Sequence, residues 1–242
     1  MRRDSFRDRA LVVKTYDFGE ADRIIVLLTR DHGIVRGVAK GVRRSKSRFG
    51  SRLQLFVELD VQLYPGRKLS TISGADTVGY YASGIIEDFT RYSCASAILE
   101  IATHIAGLEN DPHLFEETTR ALKNIQDSPE PILNLDEFML RAMNHAGWAP
   151  SLFDCAACGR PGPHNAFHPG VGGAVCLFCR PPGSAEVPPE ALHMMWLVAN
   201  GQAARIPREH PEQQTTIHQL TTAHLQWHIE RKLPTLAVLD QA

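Results

Sequence analysis

The chain has 242 residues, 43% of them apolar and 22% charged, which is the make-up of a folded globular protein with room for one large domain or two small ones and excludes disorder as its default state. No run of eighteen or more apolar residues occurs, and Met1-Arg2-Arg3-Asp4-Ser5-Phe6-Arg7-Asp8-Arg9 lacks the apolar stretch of a secretory signal, so a cytosolic protein with no membrane span is expected. The net charge of −1 hides an asymmetry: residues 1–80 hold 16 Lys/Arg against 9 Asp/Glu (+7), leaving 10 against 18 (−8) for the remainder. A basic end beside an acidic end suggests that one meets a polyanion and the other meets proteins.

Taken in chain order, residues 10–16 and 24–29 are short, β-branched and bounded by polar clusters, and predict strands. Asp31-His32-Gly33 is a three-residue hairpin connection into a third strand at 34–39. Residues 53–64 alternate at period two and predict a fourth strand, Pro65-Gly66 turns the chain, and 69–73 returns it as a fifth. Five short strands in about eighty residues fit a closed barrel of the OB type, which removes exposed edges; an SH3-like barrel fits the same count. After Tyr80-Tyr81 the period becomes helical. Cys94, Ala97, Ile98, Ile101, Ala102 and Ile105 share one face, as do Leu114, Thr118, Ala121, Leu122 and Ile125, and a third helix is expected from about Ile132 to Ala146 with Gly147 as its stop. Residues 151–182, rich in Cys, Gly and Pro, read as a loop-built insert. Helices resume near Pro188-Pro189 and from about Gln213 to Lys232, the last stopping before Pro234.

The predicted fold class is therefore α+β and multidomain: an OB-fold barrel over 1–80, a helical domain over 81–150 and 183–242, and a four-cysteine zinc module inserted at 151–182. The sharpest local signal is Cys155-Ala-Ala-Cys158 followed by Cys176-Leu-Phe-Cys179. Each CxxC turn supplies two thiolates, and four complete a tetrahedral shell. A closed sulfur shell leaves no position for water, so one structural Zn2+ is expected, standing in for the core that a thirty-residue insert cannot build. Unligated or redox-active thiols are the competing reading, and His164 or His168 could displace a cysteine. Cys94, on the apolar face of its helix, is expected to be buried.

The second signal is the stretch from Arg36 to Arg52, with seven basic residues (Arg36, Lys40, Arg43, Arg44, Lys46, Arg48 and Arg52) and no acidic one. A flexible Gly/Ser-punctuated loop projecting from a barrel can lay such side chains along a phosphate backbone. Phe49 either offers its face to an unpaired base or packs under the loop, and the whole run could equally be a solvated face. The sequence has no GxxxxGK[ST], HExxH or GxSxG pattern, so neither nucleotide hydrolysis nor any other catalysis is expected. His224 and His228, four apart, could supply half a metal site but fit an ordinary helix face better.

Together, Glu20-Ala21-Asp22-Arg23, Thr29-Arg30-Asp31-His32-Gly33, Ala39-Lys40-Gly41-Val42-Arg43-Arg44, Lys46-Ser47-Arg48-Phe49-Gly50, Leu53-Gln54-Leu55-Phe56, Leu63-Tyr64-Pro65-Gly66, and Gly147-Trp148-Ala149-Pro150-Ser151-Leu152 running into the first CxxC resemble the RecO family of bacterial DNA-repair proteins over nearly the whole chain. The resemblance implies an OB-fold, a helical domain and a zinc finger in a non-enzymatic recombination mediator of the bacterial cytoplasm. Such a protein binds single- and double-stranded DNA, anneals complementary strands and, with RecR, helps load RecA onto single strands coated by SSB. It also points to the seven basic residues above as the DNA contacts; Arg23 matches too, with an ion pair as the alternative. A different reading from the residues alone is a non-catalytic adaptor that binds proteins through the acidic helical half, the basic loop being incidental.

Overall fold

The computed structural model describes residues 4–107, 110–206 and 211–239. The expectations that reach the first three residues and the last three, including the start of the Met1-to-Arg9 stretch, lie outside these. Two compact units are present, Met1–Ser128 and Pro129–Ala242.

In the first unit, β1 (Phe6–Phe18), β2 (Asp22–Thr29), β3 (Gly33–Ala39), β4 (Val57–Tyr64) and β5 (Ser70–Tyr80) close into a barrel in the order β1-β2-β3-β5-β4. All pairs are antiparallel except β3 with β5, where the barrel closes in parallel through Gly37 opposite Ser70. Gly37 permits this close approach, because a Cβ would sit 2.7 Å from Ile72 Cγ1 and force that core side chain to shift. The five-strand, OB-like reading holds. Inward positions on β4 run Val57, Leu59, Val61, Leu63, the alternation seen in the sequence, and meet Ala10, Val12, Ile25, Leu27, Ile72 and Ala75 in one core.

The fourth strand begins later than expected. Residues 40–56 form a run of turns, and Phe49 and Leu53 from this segment are buried in the barrel core at 2% and 1% exposure, with Val42 and Leu55 packed beside them. These side chains thus supply part of the barrel core from outside its strands. The expectation of a flexible projecting loop is thereby corrected, and so is base stacking by Phe49: its ring is inside the protein.

On the far side of β4, Glu58 is buried with Arg9 as ion-pair partner and accepts a 2.5 Å hydrogen bond from Tyr81 Oη. Burial first, then the hydrogen bond donated to Glu58 and the charge of that carboxylate, pushes the Tyr81 hydroxyl far above its usual range. A short turn of helix, α1 (Ala82–Ile85), leads to α2 (Phe89–Ile105) and α3 (Pro112–Ile125), which lie against β1 and β2 respectively. Asp88 and Asp111 cap them, accepting from Arg91 N at 2.7 Å and Leu114 N at 2.9 Å. Arg91 donates to the carbonyls of Gln126 and Ser128, satisfying the open end of α3. Cys94 is fully buried on α2, as expected.

The second unit consists of α4 (Pro131–His145), a cysteine-bearing module, α5 (Pro189–Ala199), α6 (Pro211–His228) and α7 (Pro234–Leu239). Pro234 opens a further helix rather than merely following one. The stretch expected to be built from loops contains strand pairing: β6 (Ala166–His168) lies between β7 (Gly173–Ala174) and β8 (Ala185–Glu186). Helices α4 and α6 are tied by a buried contact of 2.7 Å between Asp136 Oδ1 and His218 Nδ1. His224 Nε2 meets the Trp148 carbonyl at 2.9 Å. A carbonyl only accepts, so Nε2 carries the proton. Burial, reinforced by His228 nearby, holds the His224 imidazole down to about 4.

Two expected outcomes follow from this packing. Phe49→Ala should destabilise the first unit by about 3–5 kcal/mol in chemical denaturation; unchanged stability would return Phe49 to the surface. Because His224 takes up a proton more readily unfolded than folded, its contribution is complete above about pH 6.5 and declines as pH falls toward 4, by about 3 kcal/mol in all. Denaturation of wild type and His224→Gln between pH 7 and 4 should show the gap between the two curves narrowing on the acid side, and parallel curves would rule this out.

Candidate nucleic-acid interface and metal centre

The loop from Lys40 to Phe56 is held at its first turn. The Asp22 carboxylate accepts the Gly41 N–H at 2.7 Å and the Ala21 carbonyl accepts that of Arg43 at 3.0 Å. Four-residue turns follow, Arg44 N to Gly41 O, Ser47 N to Arg44 O, Gly50 N to Ser47 O and Arg52 N to Phe49 O, all between 3.0 and 3.3 Å. Apolar anchors point inward, so the charged side chains have only the solvent side left.

Arg36, Lys40, Arg43, Arg44, Lys46 and Arg48 are exposed and Arg52 is half-buried. Their local surroundings differ. Arg36, Lys40, Arg44 and Lys46 make no ion pair among the described residues. Arg43 lies 3.4 Å from Asp17, and the Arg48 guanidinium sits 4.8 Å from the centre of the Phe49 ring. Arg52 is the most engaged, donating to Ala75 O at 2.6 Å and to Arg48 O at 3.3 Å, with Asp76 at 3.6 Å. Arg23 takes its structural alternative, hydrogen-bonding Asp17 at 3.0 Å. That hydrogen bond, aided by the charge of Arg43, holds the Asp17 carboxyl below its ordinary range. Sequence reading missed the exposed aromatics of this unit, among them Tyr16, at the end of the strand expected over 10–16, and Phe18, beyond it.

In the second unit the four cysteines come together: Sγ atoms of Cys155, Cys158, Cys176 and Cys179 all lie within 4.8 Å of one another, with Cys158 and Cys176 3.9 Å apart. A tetrahedral sulfur shell at a metal–sulfur distance of about 2.3 Å has edges of about 3.8 Å, so the cluster suits such an ion. The first knuckle closes through Gly159, whose N–H reaches Cys155 O at 2.8 Å with φ at 71°, a turn that glycine makes without strain. The second closes through Arg180 N to Cys176 O at 3.0 Å. Burial alone would raise the Cys155 thiol, but N–H groups of Cys176, Cys158 and Ala157 and the Cys158 thiol bring it down to about 6. Cys179 keeps its proton by donating toward the sulfurs of Cys158 and Cys176, which pushes it up to about 12. Cys176 is lowered too, burial being outweighed by hydrogen bonds from Cys179 and from the Phe178 N–H, so two corners favour the thiolate and a cation would draw the remaining protons off.

His164 does not join the cluster; its Nε2 meets Arg160 O at 2.9 Å. His168 faces Trp227, and His224 and His228 lie edge to face with ring centres 4.6 Å apart and no third ligand beside them among the described residues. Leu177 and Phe178, at the tip of the second knuckle, are 77% and 80% exposed. A cleft beside the module, lined by Phe153, Pro161, Pro163, His164, Leu192 and His193, also had no sequence signal, because its walls come from separate segments.

No helix among the described residues is long and apolar enough to cross a membrane. Comparison with protein families gives two adjoining matches. Residues 1–81 match the model of the Recombination protein O N terminal region, and residues 86–237 match that of the Recombination protein O C terminal region. The division between them falls where the barrel ends and the helices begin. Barrel, helices and cysteine cluster thus sit on two matches that cover almost the entire sequence, and the chain belongs to the Recombination protein O (RecO) family, whose role is in DNA recombination and repair.

Proposed function

We propose that this chain is a recombination mediator that works without covalent chemistry. Its barrel unit binds single- and double-stranded DNA through Arg36, Lys40, Arg43, Arg44, Lys46, Arg48 and Arg52. In this reading it anneals complementary strands and, together with RecR, helps load RecA onto SSB-coated single strands in the cytoplasm. The observation that carries it is the anchored loop: a run of cations without an acid, held outward because Phe49 and Leu53 are held inward. A pinned array of charges displaces condensed counterions along a phosphate backbone with little ordering cost on the protein side. Two strands held on such arrays meet at high local concentration, and base pairing supplies the net free energy of annealing. Arg36, Lys40, Arg44 and Lys46 are the principal contacts, being without ion-pair partners among the described residues. Arg52, committed to Ala75, contributes least.

The metal is one zinc ion held by Cys155, Cys158, Cys176 and Cys179, and its part is structural: four sulfurs fill its coordination and leave none for water.

If about four of the cations contact single-stranded DNA, affinity should fall with a log–log salt slope of roughly −3, measured by fluorescence polarisation of a labelled oligonucleotide. The slope should flatten in Arg43→Ala/Arg44→Ala/Lys46→Ala, and identical binding by that variant would place the DNA elsewhere and favour the protein-adaptor reading. For the metal, elemental analysis of reduced protein should give close to one zinc per chain. Trp148, Trp196 and Trp227 all lie in the second unit, so chelation or Cys155→Ser should change tryptophan emission and lower the unfolding temperature of that unit. Emission and stability indifferent to chelation would remove zinc from the structure.

A further inference from the structure

Lys14, Tyr16 and Phe18 occupy alternate positions along the end of β1. Counting on from Ala10 and Val12, which point into the barrel core, simple alternation would send them inward too. They do not go there. The pairing of β1 with β2 slips between Val12 and Lys14, leaving Val13 as an extra residue, and a bulge of this kind carries every later side chain to the opposite face. Beyond it, Thr15 is opposite the core residue Ile25, while Lys14 and Tyr16 are opposite Val26 and Ile24 on the outer side. Tyr16 and Phe18 are 46% and 47% exposed as a result, and neither stacks on another aromatic ring among the described residues.

The same outer row continues onto β3, with Val26 opposite Arg36 and Ile24 opposite Val38. Tyr16 therefore lies beside a low apolar floor made by half-buried Ile24 and Val38. Cations border it. The Lys14 ammonium is 5.2 Å from the Tyr16 ring centre, Arg36 follows across β2, and Lys40 leads directly out of β3 into the basic loop. Of the three acids in the β1–β2 hairpin, Asp17 is bound by Arg23 and Arg43, Asp22 is engaged by the Gly41 N–H, and Glu20 is exposed in the turn beyond Phe18.

We propose that Tyr16 and Phe18 form a stacking platform for unpaired nucleobases on the outer face of β1–β3, beside the cations that hold the phosphates. The proposal rests on the DNA-binding reading above and adds to it a reason to prefer single strands. An aromatic face accepts any base that has left its own stack, whereas duplex bases are already stacked and have no face to give. Flat rings next to Lys14 and Arg36 suit a ligand that alternates aromatic planes with negative charges every few ångströms, which a single strand does.

The test compares wild type with Tyr16→Ala/Phe18→Ala on three probes of equal length: a single-stranded oligonucleotide, its duplex and an abasic single strand. Loss of single-strand affinity on the order of tenfold or more is expected, with the salt slope and duplex affinity unchanged, and the abasic strand should bind wild type no better than the normal strand binds the variant. A Tyr16→Trp protein supplies a second reading, since its added indole emission should be quenched by an oligothymidylate. Salt-dependent binding by wild type that the double substitution leaves intact, or an indole that the oligonucleotide does not quench, would overturn the platform while sparing the loop. Absence of DNA binding by wild type would overturn both.

Discussion

A barrel of five strands is too small to bury its own interior completely, and the structure of the first unit depends on how that shortage is met. Phe49 and Leu53 come from the segment between β3 and β4 and enter the core beside Val57, Leu59 and Leu63. Burying two such side chains is worth several kcal/mol, on the order of 1.5–3 each, so the segment cannot lift away without opening the core. Asp22 and Ala21 then fix its first turn by hydrogen bonds. The exposed cations inherit their placement from these contacts, none of which involves a charge on the loop itself.

The cysteine module meets the same shortage by a different route. Around its sulfurs the apolar packing is a small cluster of Cys155, Ala166, Val175 and Cys176, with Val171 and Cys179 at the margin. So small a cluster does not outweigh the chain entropy of ordering some thirty residues. Four sulfurs within tetrahedral reach of one another give a cation the means to supply the missing free energy. In both units a stretch of irregular backbone is made definite by a few inward-pointing groups, apolar in one and sulfur in the other.

What could be read from the sequence follows from which of these devices leaves a pattern. The barrel strands were legible because Val57, Leu59, Val61 and Leu63 alternate, and the cysteines because two CxxC spacings have few other uses. The basic run was legible as composition. Its anchoring was not: Phe49 and Leu53 lie in irregular chain, where no period marks an inward residue, so Phe49 could be read as packing or as stacking. Tyr16 and Phe18 were hidden for a sharper reason. Their direction depends on one extra residue at Val13, and a single-residue slip in pairing leaves no signature in the apolar run over 10–13 that contains it. Pro234 looked like a terminator and is the start of α7, since the same ring that ends one helix fits the first turn of the next.

The separation of inward anchors from outward charges in the 40–56 segment has an evolutionary corollary. Substitutions at Arg44 or Lys46 touch no core contact and so cost the fold little, within about 0.5 kcal/mol for an ordinary surface position. Each can still add or remove a unit of charge at a fixed place. Selection can therefore tune the charge that this surface presents by substitution at these positions alone, while Phe49, Leu53 and Asp22 stay constrained by what they hold together.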